Sequence, residues 1–284
     1  MNKFIYLLLA TLPFWYACSG EEEEIGGKSI DVVKETENSS IVFNIPSPSE
    51  QFELIAMLDG VKDVRLVSDP TQRFEGQKAR SLNFGVCIAD VAYLTSFDET
   101  SKYMQYFNQL EKLGNEMGVT EVFTKEMGDL IKKWSNDPDS LFRLSNETYS
   151  KSFQKLVDID KGSELSLMLA GGWIETMYLI FGTSKGFGLS PEIDMIIVDQ
   201  KLVAENLIDF MLDYQDNSDV SEYMNKMGQI LDLYEGLDCK TEETNVEESD
   251  GKITISGGDI CELNQKTFDK IKKDITAMRM EVIK

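Results

Sequence analysis

Two acids stand alone in the two most apolar stretches of the chain. Asp90 lies in Phe84–Tyr93, FGVCIADVAY, and Glu175 lies in Leu169–Tyr178, LAGGWIETMY. A carboxylate inside such a stretch must find a partner or keep its proton, because an unpaired buried charge is far too costly. Two chemistries follow. Paired carboxylates lining a pocket can act as acid and base, as in glycoside cleavage, or can contact a ligand. Alternatively the two acids belong to a structural ion-pair or hydrogen-bond network, the commoner arrangement. The chain has five arginines, and Arg80 and Arg143 are the expected partners.

Other reactive groupings are weaker. The sequence has no histidine, so Ser-His-Asp and Cys-His machinery and imidazole zinc sites are excluded. Ser-x-x-Lys spacing occurs at Ser152/Lys155 and Ser249/Lys252. The companion motifs of penicillin-recognising enzymes are missing, so nucleophilic serine chemistry is not expected. The acid clusters Asp158/Asp160 and Asp213/Asp216/Asp219 do not follow the EF-hand pattern and read as caps and loops. Gly182–Gly186, GTSKG, lacks P-loop spacing. Asp139-Ser140-Leu141 resembles a Bacteroidetes O-glycosylation sequon. No metal ligand set and no cofactor motif emerges, and none is expected.

The chain has 284 residues, 42% hydrophobic, with 50 acidic against 28 basic side chains. That imbalance argues against nucleic acid as a partner, since phosphate is bound by neutralising it. The length suffices for a large core without staples.

Residues 1–17, MNKFIYLLLATLPFWYA, carry one lysine, then an apolar run broken by Pro13, then Ala17 before Cys18. The run is too short to span a bilayer and reads as a signal peptide. Trp15-Tyr16-Ala17-Cys18 resembles a bacterial lipobox, with aromatics where Leu and a small residue are usual. Cys18 is therefore the expected lipidation site, and its acyl chains would anchor the protein by burying methylenes at roughly 0.8 kcal/mol each. The acidic run Glu21–Glu24 resembles the surface-export signal of Bacteroidetes lipoproteins, and Ser19 after the cysteine resembles outer-membrane sorting. Residues 18–48 read as an acidic flexible tether, with Ile41–Ile45 alternating enough for a short extended piece.

Residues 49–284 read as one helical domain. The first helix is expected over 49–59, followed by a loop-rich stretch over 60–79. Ser81–Phe97 and Ser163–Phe181 are apolar on nearly every face, as central buried helices are. Their glycines, Gly85 and Gly171-Gly172, cost about 1 kcal/mol each relative to alanine in a helix. Close approach of the two helices would explain them. Ser96-Phe97-Asp98-Glu99 has the form of a capping box, which would open a helix carrying Tyr103, Tyr106, Phe107, Leu110 and Leu113. Further helices are expected over 119–134, after Asp137-Pro138, after Ser190-Pro191, after Ser218, and around Phe268–Val282. About eight helices with short connectors predict an all-α, antiparallel multi-helix array.

The pattern breaks near 240–260, where an acidic stretch leads to Ile253 and Ile255 between glycines, as in a small hairpin or extended flap. Cys239 and Cys261 bracket it. An oxidising envelope permits a disulfide there, although spacing alone leaves two free thiols as the alternative. Cys87, in the apolar helix, reads as a buried thiol.

Residues Leu82–Tyr93, LNFGVCIADVAY, resemble a segment of a family of all-helical Bacteroidetes-type cell-envelope lipoproteins. That resemblance covers about a dozen residues. It implies an all-α envelope lipoprotein and brings no activity with it.

The expected function is that of a lipid-anchored cell-envelope binding or interaction protein, non-enzymatic, placed at the outer membrane and facing outward. Its partners would be the membrane, through the anchor, and a protein or glycan ligand. The alternative is a cell-surface hydrolase or lyase using Asp90 and Glu175, which requires two carboxyls converging on an open cleft. A third reading, nutrient capture beside a transporter, requires an aromatic-lined groove at one end of the array.

Overall fold

The computed structural model describes residues 61–249 and 252–284, the strands at 30–36 and 39–45, and Glu53 and Ala56. Cys18 and residues 1–17, the expected leader, lie outside the described residues. So does the helix expected over 49–59, apart from Glu53 and Ala56, which are helical.

The protein is all-α with small extended appendages. Eight α-helices are present among the described residues: α1 (Gln77–Ser96), α2 (Tyr103–Met117), α3 (Lys125–Lys133), α4 (Pro138–Asp158), α5 (Gly162–Thr183), α6 (Pro191–Leu212), α7 (Ser218–Tyr234) and α8 (Gln265–Val282). Helices α1 and α5 form the central pair. Every residue of α1 from Ser81 to Thr95 is buried, so no amphipathic stripe is left to read. By length and composition α5 could cross a membrane, but its apolar stretch is 89% buried inside the protein. It is a core helix. Helices α2, α4 and α5 pack on α1, and α4, α6, α7 and α8 on α5.

The outer helices show single inward stripes. In α7 the stripe is Val220, Tyr223, Met227, Ile230 and Tyr234, and in α8 Phe268, Ile271, Ile275, Met278 and Val282. Their starts are set by side-chain caps that occupy otherwise unpaired helix N–H groups. Thr124 caps α3, Asp137 caps α4 ahead of Pro138, Asn217 caps α7 and Asn264 caps α8. Asn217, not Ser218, takes the N–H groups of Asp219 and Val220.

The spacing of α1 and α5 is set by glycine. A Cβ on Gly85 would lie 2.0 Å from the Met168 carbonyl oxygen, and one on Gly171 would lie 2.1 Å from the Leu82 carbonyl oxygen. Both neighbours are backbone, so no rotamer change can make room. The close approach expected from the sequence is present.

Several local expectations are corrected. The Ser96–Glu99 capping box does not form. Helix α1 runs through Ser96, whose hydroxyl donates to the Ala92 carbonyl, while the Glu99 carboxylate accepts from Ser101 and pairs with Lys62. Helix α2 begins only at Tyr103. The helix expected over 119–134 is split into a 3-10 turn at Thr120–Val122 and α3, because Thr124 caps a fresh start. Helix α5 runs past the expected Ser163–Phe181 to Thr183, with the Leu66 side chain packed against Gly182.

The stretch read as a tether contains an antiparallel hairpin, β1 (Ile30–Thr36) with β2 (Ser39–Ile45). The expected extended piece at Ile41–Ile45 lies within β2. The flap near 240–260 is a hairpin too, β3 (Asp238–Ser249) with β4 (Lys252–Glu262). Cys239 and Cys261 are register partners across β3–β4, their Cα atoms 3.9 Å apart, and they are joined by a disulfide. Closing a loop between residues 22 apart in sequence removes roughly 3 kcal/mol of chain entropy from the unfolded state. Peptide mapping without reduction is expected to recover the two as one linked species, and Cys87, which is free and buried, as a thiol.

Candidate functional site

Asp90 and Glu175 come together at the core, both fully buried. Helix α1 supplies Asp90 and α5 supplies Glu175, on the two elements whose glycines let the backbones close. The partner arginine is neither Arg80 nor Arg143. Arg80 pairs with Glu116 at 2.5 Å, and Arg143 reaches the Ser140 hydroxyl at 3.2 Å. Arg80 is thus tied to α2, and Arg143 is exposed.

The partner is Arg279, from α8. Its Nε is 2.9 Å from Glu175 Oε2 and its Nη2 is 3.1 Å from Oε1, a bidentate pair. The same Nη2 donates to the Leu66 carbonyl at 2.9 Å. The guanidinium also lies 4.4 Å from the Tyr178 ring centroid, a geometry that favours a cation. Arg279 is only 6% exposed.

Asp90 is bound from the other side. Its Oδ2 accepts from the Ser68 N–H at 3.0 Å and from the Ser68 hydroxyl at 2.5 Å. The Ser68 carbonyl in turn accepts from the Tyr106 hydroxyl at 2.5 Å. Asp90 Oδ1 meets no N–H or O–H donor, and the Glu175 carboxyl is close enough for its charge to act on Asp90. One guanidinium neutralises only one of two buried carboxyls, so the other must keep its proton. Burial, and next the Glu175 charge, push the Asp90 pKa well above the carboxylate range, against the Ser68 hydrogen bonds and Arg279. Burial raises Glu175 too, but the Arg279 hydrogen bonds and charge pull it back. The cluster is therefore a neutral Asp90, a Glu175 carboxylate and an Arg279 guanidinium. Its net charge is zero, as a low-dielectric core requires.

This geometry does not suit hydrolysis. Inverting and retaining glycosidases set their carboxyls about 5 Å or more apart across a cleft that seats the bond they cleave, and these two are sealed in the core. Neither has solvent access. Burial and the two nearby carboxyls also push up the Cys87 thiol, so it is no thiolate nucleophile.

The remaining sequence candidates do not assemble into a site. Ser152 is buried and donates to the Thr148 carbonyl, while Lys155 reaches away to Glu121. The side chains of Ser249 and Lys252 lie outside those described. Ser140 is buried and donates to Asp137, so in the folded protein its hydroxyl is not presented to a glycosyltransferase. Among the described residues no three Asp, Glu or Cys side chains converge as a metal would need.

A surface cleft of about 300 Å³ opens at the C-terminal end of α1 and the start of α4. Thr95, Ser96, Asp98, Pro138, Asp139 and Phe142 line it, together with Glu53 and Ala56. Asp98 is held there with φ 58°. Among the described residues that line it, Phe142 is the one aromatic ring.

Sequence reasoning missed Arg279 and Ser68. Arg279 could have been found, because it occupies the inward stripe of α8 between Ile275 and Val282. Ser68 lies in an irregular segment that gives no periodic signal. No protein-family model matches the chain, no curated protein matches its sequence, and no solved structure matches its fold.

Proposed function

We propose that the protein is a lipid-anchored component of the cell envelope that works by binding rather than by catalysis. The observation that carries this reading is the state of Asp90 and Glu175. They are the two acids best placed by sequence for chemistry, and they are engaged by Arg279 and by Ser68 and fully buried. The leader, the lipobox-like Trp15–Cys18 and the acidic run Glu21–Glu24 supply the anchor and the address, at the outer membrane and facing outward. Binding then falls to the outside of the helical body, where the cleft beside Phe142 is the site for a small ligand or a peptide or glycan end. The surplus of acidic side chains disfavours polyanionic partners.

Cell fractionation tests the anchor. Cys18→Ser is expected to move the protein to the soluble envelope fraction, or leave it unprocessed, and to abolish palmitate labelling. Labelling that persists in the variant would refute the anchor. A thermal-shift screen of peptides and glycans against the mature protein tests the binding role. Replacing Phe142 with Ala is expected to reduce any shift found.

A further inference from the structure

Residues 61–76 form a strap without regular secondary structure between the buried cluster and solvent. Polar contacts to four helices, α1, α2, α5 and α8, hold it down. The Val61 N–H donates to the Thr183 carbonyl at 3.2 Å, and the Asp63 N–H donates to the Tyr93 hydroxyl at 3.0 Å. Leu66 accepts from Arg279, and Ser68 is gripped by Asp90 and Tyr106. Farther along, the Gln109 side chain donates to the Gln72 carbonyl, and the Gln72 side chain donates to the Ile283 carbonyl at 2.7 Å. Leu66, Val67 and Ser68 are only half-buried, whereas the groups beneath them are sealed. Lifting this one segment would bring water to Asp90.

We propose that the strap is a pH-gated cover whose closure takes up one proton, held by Asp90 beside Glu175, and whose opening releases it. The groups facing Asp90 are Glu175 from α5, Arg279 from α8, Tyr106 from α2, Ser68 from the strap and Cys87 from its own helix. Tyr178 lies behind Arg279. Tyr106 is pushed up by burial and by the acids, and Cys87 likewise, so both stay neutral. With the strap shut there is one guanidinium for two carboxyls, and the second carboxyl must stay protonated. With the strap lifted, solvent can take up the charge and Asp90 ionises at an ordinary carboxylate pKa.

The sign follows from linkage. The closed state has the raised pKa, so closure is fully favoured below the open-state pKa and weakens as pH rises toward the closed-state value. In that window the open fraction grows up to tenfold per pH unit. The open strap would present a carboxylate pair and a guanidinium in one pit.

Hydrogen exchange on the mature protein between about pH 5 and 9, corrected for intrinsic exchange, reads the opening. The protection factors of the Val61, Asp63 and Ser68 amides are expected to fall with pH by up to tenfold per unit, while those deep in α1 and α5 fall less. Asp90→Asn can still accept from Ser68 and has no ionisable proton, so its strap protection is expected to be flat with pH. If Asp90→Asn folds poorly, Glu175→Gln makes the same test, since it leaves one carboxylate opposite one guanidinium. Flat protection in the wild type would overturn the proposal. So would an unchanged slope in the variants, or a slope shared equally by strap and core. An infrared band from a protonated carboxyl at neutral pH, lost in Asp90→Asn, is also expected, and its absence from the wild type would overturn the proposal as well.

Discussion

Arg279→Met is expected to lower the unfolding free energy by about 3–5 kcal/mol, the range for removing one partner of a buried ion pair. The loss of the attraction is the smaller part. The Glu175 carboxylate stays fully buried and loses the donors that hold its Oε1 and Oε2, while the Leu66 carbonyl loses its donor as well. Glu175 responds by taking up a proton, so its folded-state pKa rises further above the unfolded value. A raised folded pKa contributes stability that is present below the unfolded pKa, about 4.3, and is lost as pH rises. The deficit of Arg279→Met is therefore expected to be larger at pH 8 than at pH 5. Urea titrations at the two values measure it, and a deficit that grows toward acid would show that the ion pair is not what was removed.

The second large effect belongs to glycine. Gly85→Val or Gly171→Val is expected to cost about 3 kcal/mol or more, at the upper end of overpacking penalties. The new Cβ would sit on the backbone of the opposite helix, 2.0 Å from the Met168 oxygen or 2.1 Å from the Leu82 oxygen. Helices α1 and α5 would have to separate, and Asp90 and Glu175, carried on those helices, would separate with them. Gly228→Ala is the contrasting control. Gly228 is inside α7 with nothing within 4 Å of a new Cβ, so the same kind of change is expected to gain about 0.5–1 kcal/mol. If Gly85→Val melts with the wild type, the close approach does not set the spacing of the core.

How much of this was legible in the sequence depends on how locally each feature is encoded. Gly85 and Gly171 could be read because glycine in an apolar helix needs a packing reason, and close backbone approach is the usual one. The burial of Asp90 and Glu175 followed from their neighbours at every helical spacing. Their partner did not, because Arg279 is 104 residues from Glu175 and the scarcity of arginine does not choose among the five. The sign was present in α8, where an arginine interrupts an inward stripe. Ser68 was not legible, since irregular backbone shows no period and its role depends on where the strap crosses α1. The β1 strand was hidden by Asp31, Lys34 and Glu35, which break the alternation that a half-buried strand shows. The capping box at Ser96 failed because its motif also suits the end of a helix, where a serine hydroxyl bonds back to the carbonyl four residues earlier.

The claim that the buried acids serve the fold is tested most directly by a double-mutant cycle on Glu175 and Arg279, using Glu175→Met, Arg279→Met and the double variant in equilibrium denaturation. Replacing a buried ion pair with apolar residues of similar size is often neutral or stabilising, whereas breaking it is not. The double variant is therefore expected to be more stable than Arg279→Met alone, with a coupling above about 2 kcal/mol. Single losses that simply add, with the double variant the least stable of the three, would contradict a structural pair and return Glu175 to consideration as a functional acid.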